Sequence, residues 1–209
     1  MPTATTLSHE ILAWRTAHRH VAGIDEVGRG PMAGPVVAAA VVLDPQFAQP
    51  WWSDLHDSKL LTARRRARLA RLLYQTAAVG VGEAGHHEVD TLGLVEATRQ
   101  SMLRALDALP CRPDFLLIDA VVLPEEAGPQ EAIVHGDARC ASIAAASIIA
   151  KVARDRMMDE HHQAYPHYGF ANNRGYCTRD HLAALTQHGP SPIHRRSFAP
   201  VRAFLDNAS

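Results

Sequence analysis

Two apolar runs near the start of the chain, "HVAGID" and "GPVVAAAVVL", show no polar alternation, and such short runs bounded by turn residues read as buried strands. The Gly/Pro-rich stretch between them marks a tight connection. A third strand is predicted at "AAVGVGEA", a fourth at "DFLLIDA" and a fifth at "EAIVHGD", ending at residues 136–137. Thr62 can cap a helix running to about residue 76, one face of which carries Arg64, Arg65, Arg68 and Arg71. Over residues 90–109, Leu92, Val95, Met102, Leu103, Leu106 and Leu109 recur as a helical stripe. "ASIAAASIIAKVARDRMMDEHHQAY" predicts a long helix whose first half is apolar nearly all round and therefore buried. Thr178 caps one more helix, ended by Gly189 and Pro190. The predicted order, β-β-α-β-α-β-β-α-α, implies an α/β fold: a mixed sheet with hairpin-linked strands first, crossover-linked strands afterwards and helices on its faces.

Residues 1–18 read as a short helix or arm, and 19–209 as a single domain whose last part, from about 165, is helical. At 209 residues, 47% hydrophobic and 21% charged, the chain is long enough for a real core and has an ordinary soluble composition. No stretch is long and apolar enough to suggest a membrane span, and the first twenty residues lack the order of a secretory signal. The three cysteines, Cys111, Cys140 and Cys177, are far apart and form no CxxC pair, which argues against a disulfide scaffold and a zinc site and for a cytoplasmic protein.

The net charge of −1 hides an uneven distribution. Residues 59–71 hold six Lys/Arg and no acid, and residues 150–202 hold eight against four. Between them, residues 80–135 hold ten acids against three arginines. The basic stretches fit either solvated helix faces or surfaces for an anionic polymer. With nineteen arginines and only two lysines, Lys59 and Lys151 hint at places needing a compact point charge.

The acids carry the candidate chemistry. Asp25 and Glu26 stand at the end of the first predicted strand, Asp119 at the end of the fourth and Asp137 just past the fifth. Acids at the ends of neighbouring strands converge, and oxygen-only ligands favour Mg²⁺ or Mn²⁺. Neighbouring residues of a strand point to opposite faces, so Asp25 and Glu26 share a site only if the strand breaks at the glycine turn. Asp155 competes with Asp137, although its place between two arginines suits a structural ion pair. The thirteen histidines have no ligand spacing tied to the acids.

"GIDEVGRGPMAGPVVAAAVVL", "DSKLLT", "LLIDA", "HGD", "SIAAASIIAKVARDR", "GYCTRDH" and "HGPSPIHRRSF" resemble, in the same order, bacterial ribonuclease HII of the type 2 ribonuclease H family; the match runs over about 21–201. The resemblance implies a ribonuclease H-like fold with a mixed five-stranded sheet, flanking helices and a C-terminal helical extension. It also implies an endonuclease that cuts the RNA strand of RNA–DNA hybrids and nicks duplex DNA 5′ to embedded ribonucleotides, leaving 3′-hydroxyl and 5′-phosphate ends. By position, the metal-binding carboxylates fall on Asp25, Glu26 and Asp119, with Asp137 as the fourth catalytic acid. Gly28, Arg29 and Gly30 form the turn that reads the 2′-hydroxyl. Tyr176 packs at the RNA–DNA junction, Lys59, Arg195 and Arg196 hold the nucleic acid, and His181 supports the site. Leu60 and Gly93 depart from the family's frequent lysine and asparagine. The implied enzyme needs Mn²⁺ or Mg²⁺, works as a cytoplasmic monomer without a membrane, and serves ribonucleotide removal and RNA primer degradation.

Rival readings remain open to test. An ATPase of related fold would need a second similar domain, and a recombinase nuclease would have no use for a ribose-reading turn. A non-catalytic hybrid-binding module predicts that metal is dispensable and that Asp119→Asn behaves as wild type.

Overall fold

The computed structural model describes residues 5–56 and 58–207. Asp57 of the "DSKLLT" stretch and the side chain of Leu60 lie outside the described residues, as do residues 1–4 of the expected arm. Strands β1 (Val21–Val27) and β2 (Val36–Val42) form an antiparallel hairpin, and β3 (Ala78–Ala84) continues it. Strands β4 (Phe115–Asp119) and β5 (Gln130–Ile133) add in parallel on the other side of β1. The result is a mixed five-stranded sheet of order β3-β2-β1-β4-β5. All of β2 and most of β1 are buried, so their runs need no polar alternation.

The helices, in chain order, are α1 (Ser8–Arg15), α2 (Ala63–Thr76), α3 (His86–Leu92), α4 (Leu94–Asp107), α5 (Ala141–Ala164), α6 (Phe170–Asn173), α7 (Arg179–His188) and α8 (Ala199–Asn207). Val21 and Leu117 pack with Ile143 of α5, whereas Ala22, Ile24, Leu116 and Ile118 pack with Met102 and Ala105 of α4. Alternate residues of each central strand thus serve two layers. Thr62 caps α2 as expected, its Oγ1 accepting the Arg65 amide at 3.3 Å. Thr178 does the same for α7, accepting from His181 at 3.3 Å.

The helix expected over 90–109 is two. Gly93, at φ 79°, breaks it, and Leu92 and Val95 of the expected stripe are exposed. Met102 and Leu109 of the stripe are buried and Leu103 and Leu106 pack against the same core, but the rest of the buried face of α4 is small, namely Ala97, Thr98, Ser101 and Ala105. Small residues are needed there because α4 lies almost on the backbone of β3: a Cβ on Gly80 would stand 2.1 Å from the Ala105 carbonyl oxygen. Strand β5 ends three residues early, since His135 turns the chain at φ 56° into a 3₁₀ turn, Gly136–Ala138. Helix α8 lies in the C-terminal stretch expected to be helical, without bounds set for it beforehand.

Helix α1 is tied to the core by one carboxylate. Glu10 is fully buried and accepts from the Ser142 amide at 2.7 Å and the Cys140 thiol at 3.0 Å. It therefore caps the amide end of α5, where unpaired N–H groups and the helix dipole favour an anion. Burial, with Glu10 beside it, raises the Cys140 thiol pKa and keeps it protonated. Among the described residues no helix is long and apolar enough to cross a membrane.

Candidate active site

Register brings two of the four acids together. Ile24 pairs with Ile118 in parallel strands, so Asp25 and Asp119, next along each, follow side by side. Both continue the alternation that faces α5. Asp25 is 5% exposed, and its Oδ1 accepts the Glu26 amide at 2.7 Å. Its pKa is raised well above the usual carboxylate value by burial, then by the charges of Glu26 and Asp119, against a hydrogen bond with Ser147. Asp119 is raised by burial too, while its Oδ1 accepts the Gly136 amide at 2.7 Å.

The expected break in the strand does not occur. Asp25 pairs with Ala39 and Glu26 with Ala38, and β1 runs on to Val27. Glu26 consequently leaves the α4 face of the sheet, yet at the strand's end its carboxylate still lies near enough for its charge to act on Asp25 and for that of Asp119 to act on it. Its Oε1 accepts from Arg29 Nη1 at 3.3 Å, while Oε2 is buried with no partner among the described residues. Burial raises its pKa, the Arg29 guanidinium opposes this, and Asp119 adds to it. Asp137, in the turn after β5, is 7% exposed and lies 3.5 Å from Lys59 Nζ. Lys59 is 79% exposed on its side chain, so it bridges this acid to the surface.

These groups fit a hard divalent cation by donor chemistry: every candidate ligand atom is a carboxylate oxygen, burial and then neighbouring acids raise the pKa values of Asp25, Glu26 and Asp119, and Glu26 Oε2 has no partner among the described residues. Among the described residues, no three His, Cys, Asp or Glu side chains stand together in ligand geometry. Asp155 is held elsewhere. Lys151 donates to it at 2.6 Å, with Arg66 at 3.7 Å and Arg174 at 3.8 Å. It ties α2, α5 and the segment before α7 together.

The glycine turn follows β1 directly. Gly28 has φ 95°, and a Cβ on it would meet Arg154 Nε at 2.2 Å. A Cβ on Gly30 would lie 3.5 Å from Tyr176 Cε1, so the turn and the tyrosine face each other. Tyr176 is 46% exposed. Behind it runs a buried chain of hydrogen bonds. The Ser191 amide donates to His194 Nδ1 at 2.9 Å, which leaves the proton on His194 Nε2. That proton points at His181 Nε2, 3.0 Å away, and His181 Nδ1 then donates to the Tyr176 carbonyl at 2.8 Å. Burial lowers the pKa of His181 and pulls that of His194 down to about 4, so both rings are neutral.

Arg195 is not where the sequence reading put it. It is fully buried, and its guanidinium donates to the carbonyls of Gly28 at 2.6 Å, Arg29 at 3.0 Å and Gly34 at 2.8 Å. A side chain spent in this way does not reach a nucleic acid. Arg196 is exposed, its amide donating to Asp90 at 2.9 Å. Arg154 was not a candidate, yet it is as buried as Arg195 and donates to Pro35 at 2.9 Å, Ala33 at 3.2 Å and Arg174 at 2.9 Å, all carbonyl oxygens. No local signal separates these two arginines from the exposed ones around them. His194 was missed for the same reason. On α2, Arg64, Arg65, Arg68 and Arg71 line a shallow basic hollow, with Asp54 3.8 Å from Arg65 and 3.6 Å from Arg68.

The sequence model of the family described as Ribonuclease HII matches residues 22–201. Ribonuclease HII of Desulfitobacterium hafniense (strain DSM 10664 / DCB-2) is 52% identical over 201 residues, 96% of this chain and 76% of that protein. Ribonuclease HII of Cereibacter sphaeroides (strain ATCC 17029 / ATH 2.4.9) is 50% identical over 204 residues, 97% of this chain and 95% of that protein. Among solved structures, the ribonuclease H2 from Pyrococcus horikoshii OT3 superposes with a TM-score of 0.75 at 29% identity, over 90% of this chain and 97% of that one. A Bst-RNase HIII in complex with Mn²⁺ has a TM-score of 0.71 at 20% identity, over 91% of this chain and 70% of that one, and shares the fold.

Proposed function

The chain belongs to the ribonuclease HII family, and from that premise we propose that Asp25, Glu26, Asp119 and Asp137 form the catalytic centre of an endonuclease that nicks duplex DNA on the 5′ side of embedded ribonucleotides. The coarser statement is plain: members are ribonuclease H enzymes, hydrolases that act on RNA–DNA hybrids with divalent metal ions. The observation that carries the finer reading is that Asp25 and Asp119 follow directly on the last paired residues of β1 and β4, with the Gly28–Arg29–Gly30 turn just beyond Asp25 and Tyr176 facing that turn.

In this reading Asp25, Asp119 and Glu26 would hold two divalent cations, Mg²⁺ or Mn²⁺. When bound, such ions supply charge stabilisation at the phosphate and a water of lowered pKa. Asp137, beside Asp119, orients the attacking water, and Lys59 meets the phosphate from the exposed side. Arg29 keeps Glu26 in place through their 3.3 Å contact while its own backbone belongs to the sugar-reading turn. The turn distinguishes ribose from deoxyribose through the 2′-hydroxyl, and the half-exposed Tyr176 ring packs on the next sugar. Arg196 and the basic face of α2 offer charge to the flanking backbone. Most of the rate then comes from positioning and charge stabilisation, and the products carry 3′-hydroxyl and 5′-phosphate ends. The same reading gives a monomer in the cytoplasm that serves ribonucleotide removal and primer degradation.

The test is cleavage of a labelled duplex with one ribonucleotide in Mg²⁺, Mn²⁺ or EDTA, with an all-DNA duplex as control. Nicking 5′ to the ribonucleotide is expected with metal only, and Asp119→Asn should lose about a thousandfold or more. Intact binding by both proteins without cutting under any metal would leave a hybrid-binding module instead.

A further inference from the structure

Two guanidiniums lie buried under the glycine turn, and among the described residues neither forms an ion pair. Removing a guanidinium from water is expensive, and backbone carbonyls offset that cost here in place of a carboxylate. The β1–β2 ladder already closes the hairpin, so its connection needs no charge beneath it merely to form. What the arginines add is orientation. Arg195 Nη2 and Nη1 take the carbonyls of Gly28 and Arg29, while Nε and Nη2 both reach Gly34. Arg154 takes Ala33 and Pro35, and its third bond, to the Arg174 carbonyl, joins the loop to the chain just before Tyr176.

Among the described residues no peptide bond is cis. In a trans peptide the C=O and the following N–H point in opposite directions. With the carbonyls of Gly28 and Arg29 drawn inward to Arg195, the amides of Arg29 and Gly30 must point outward. Both residues are exposed, and neither amide has a partner among the described residues. Tyr176 stands over the same opening, 3.5 Å from where a Gly30 Cβ would be.

We propose that Arg195 is a positioning residue for sugar selectivity: by holding two carbonyls inward it turns the Arg29 and Gly30 N–H groups out as paired donors to the 2′-oxygen of the ribose beside Tyr176. This rests on the reading above that the turn contacts that sugar. A 2′-deoxyribose offers no oxygen there and leaves both donors unmet, which is a loss of binding rather than a clash. Arg195 never touches the substrate; its effect passes through the turn.

The test compares Kd, in EDTA, for a duplex with one ribonucleotide and for an all-DNA duplex of the same sequence. Arg195→Lys keeps the charge but cannot reach three carbonyls at once. It should keep its affinity for the all-DNA duplex within about twofold and lose about tenfold or more of the ribonucleotide preference. An Arg195→Lys protein that is less stable but keeps the full preference would show a merely structural arginine and overturn the proposal. Should Arg195→Lys fail to fold, wild type decides. Its Arg29 and Gly30 amide resonances should shift with the ribonucleotide duplex and not with the all-DNA one, and the lack of a selective shift overturns the donor role. Wild type without any ribonucleotide preference would instead remove the sugar-reading turn itself, a failure distinct from that of Arg195.

Discussion

Glu10 and Asp25 are both buried carboxylates, but their surroundings differ. Glu10 meets the amide end of α5, and Asp25 meets two other acids. The first arrangement stabilises the fold, whereas the second stores charge repulsion that a cation relieves. Glu10→Ala leaves the Ser142 amide buried without its acceptor, and should lower stability by about 1–3 kcal/mol in urea unfolding, with m unchanged. Asp25→Asn should not destabilise, because it removes a buried charge with like-charged neighbours; an Asp25→Asn protein with a lower urea midpoint than wild type would contradict that account. The acids were legible in the sequence because their positions at strand ends are local facts. The roles of Arg154 and Arg195 were not, since a run such as "HRRSF" does not show which arginine turns inward.

At the scale of elements, the strands and both threonine-capped helices followed from periodicity and caps, which depend on residues close in sequence. The helix stripe over 90–109 held for Met102, Leu103, Leu106 and Leu109 and failed for Leu92 and Val95, because it assumed that every large apolar residue faces the core. Where α4 crosses Gly80 and Gly82 of β3 it approaches so closely that its residues there are small, Ser101 and Ala105. A Cβ on Gly82 would stand 2.3 Å from the Ser101 carbonyl oxygen. Gly82→Ala should therefore cost about 3 kcal/mol, since helix or strand must shift to admit it. The exposed Leu92 and Val95 provide the contrast: truncation of either to alanine should change the melting temperature little, and an equal loss at both kinds of site would refute the close approach.

Over the whole molecule, the site is assembled from segments far apart in the chain. The bed of the turn comes from residues 174–175 and 193–195: Met32 donates to Gly175 at 2.9 Å, and Arg195 donates from its amide to Met32 at 2.9 Å. The His181–His194 pair carries this joint to Tyr176 and makes it sensitive to acid. In the unfolded chain both rings titrate near their ordinary value of 6.5, while burial keeps His194 neutral down to about 4. The unfolded state thus binds protons first as pH falls. The stabilisation is complete above about pH 6.5 and is lost on the way to pH 4, by an amount on the order of 3 kcal/mol for His194. Urea midpoints across that range should fall in wild type and fall less steeply in His194→Gln; equal slopes would exclude the pair as the cause. By itself the sequence determined the strands, the capped helices and which acids lie at strand ends, because those depend on short-range pattern and residue type. Only the tertiary structure decided that Asp25 and Asp119 are neighbours while Glu26 leaves the opposite face, and that Arg195 lies beneath the turn. Register and burial are settled by contacts between distant segments, and no local stretch of chain carries that information.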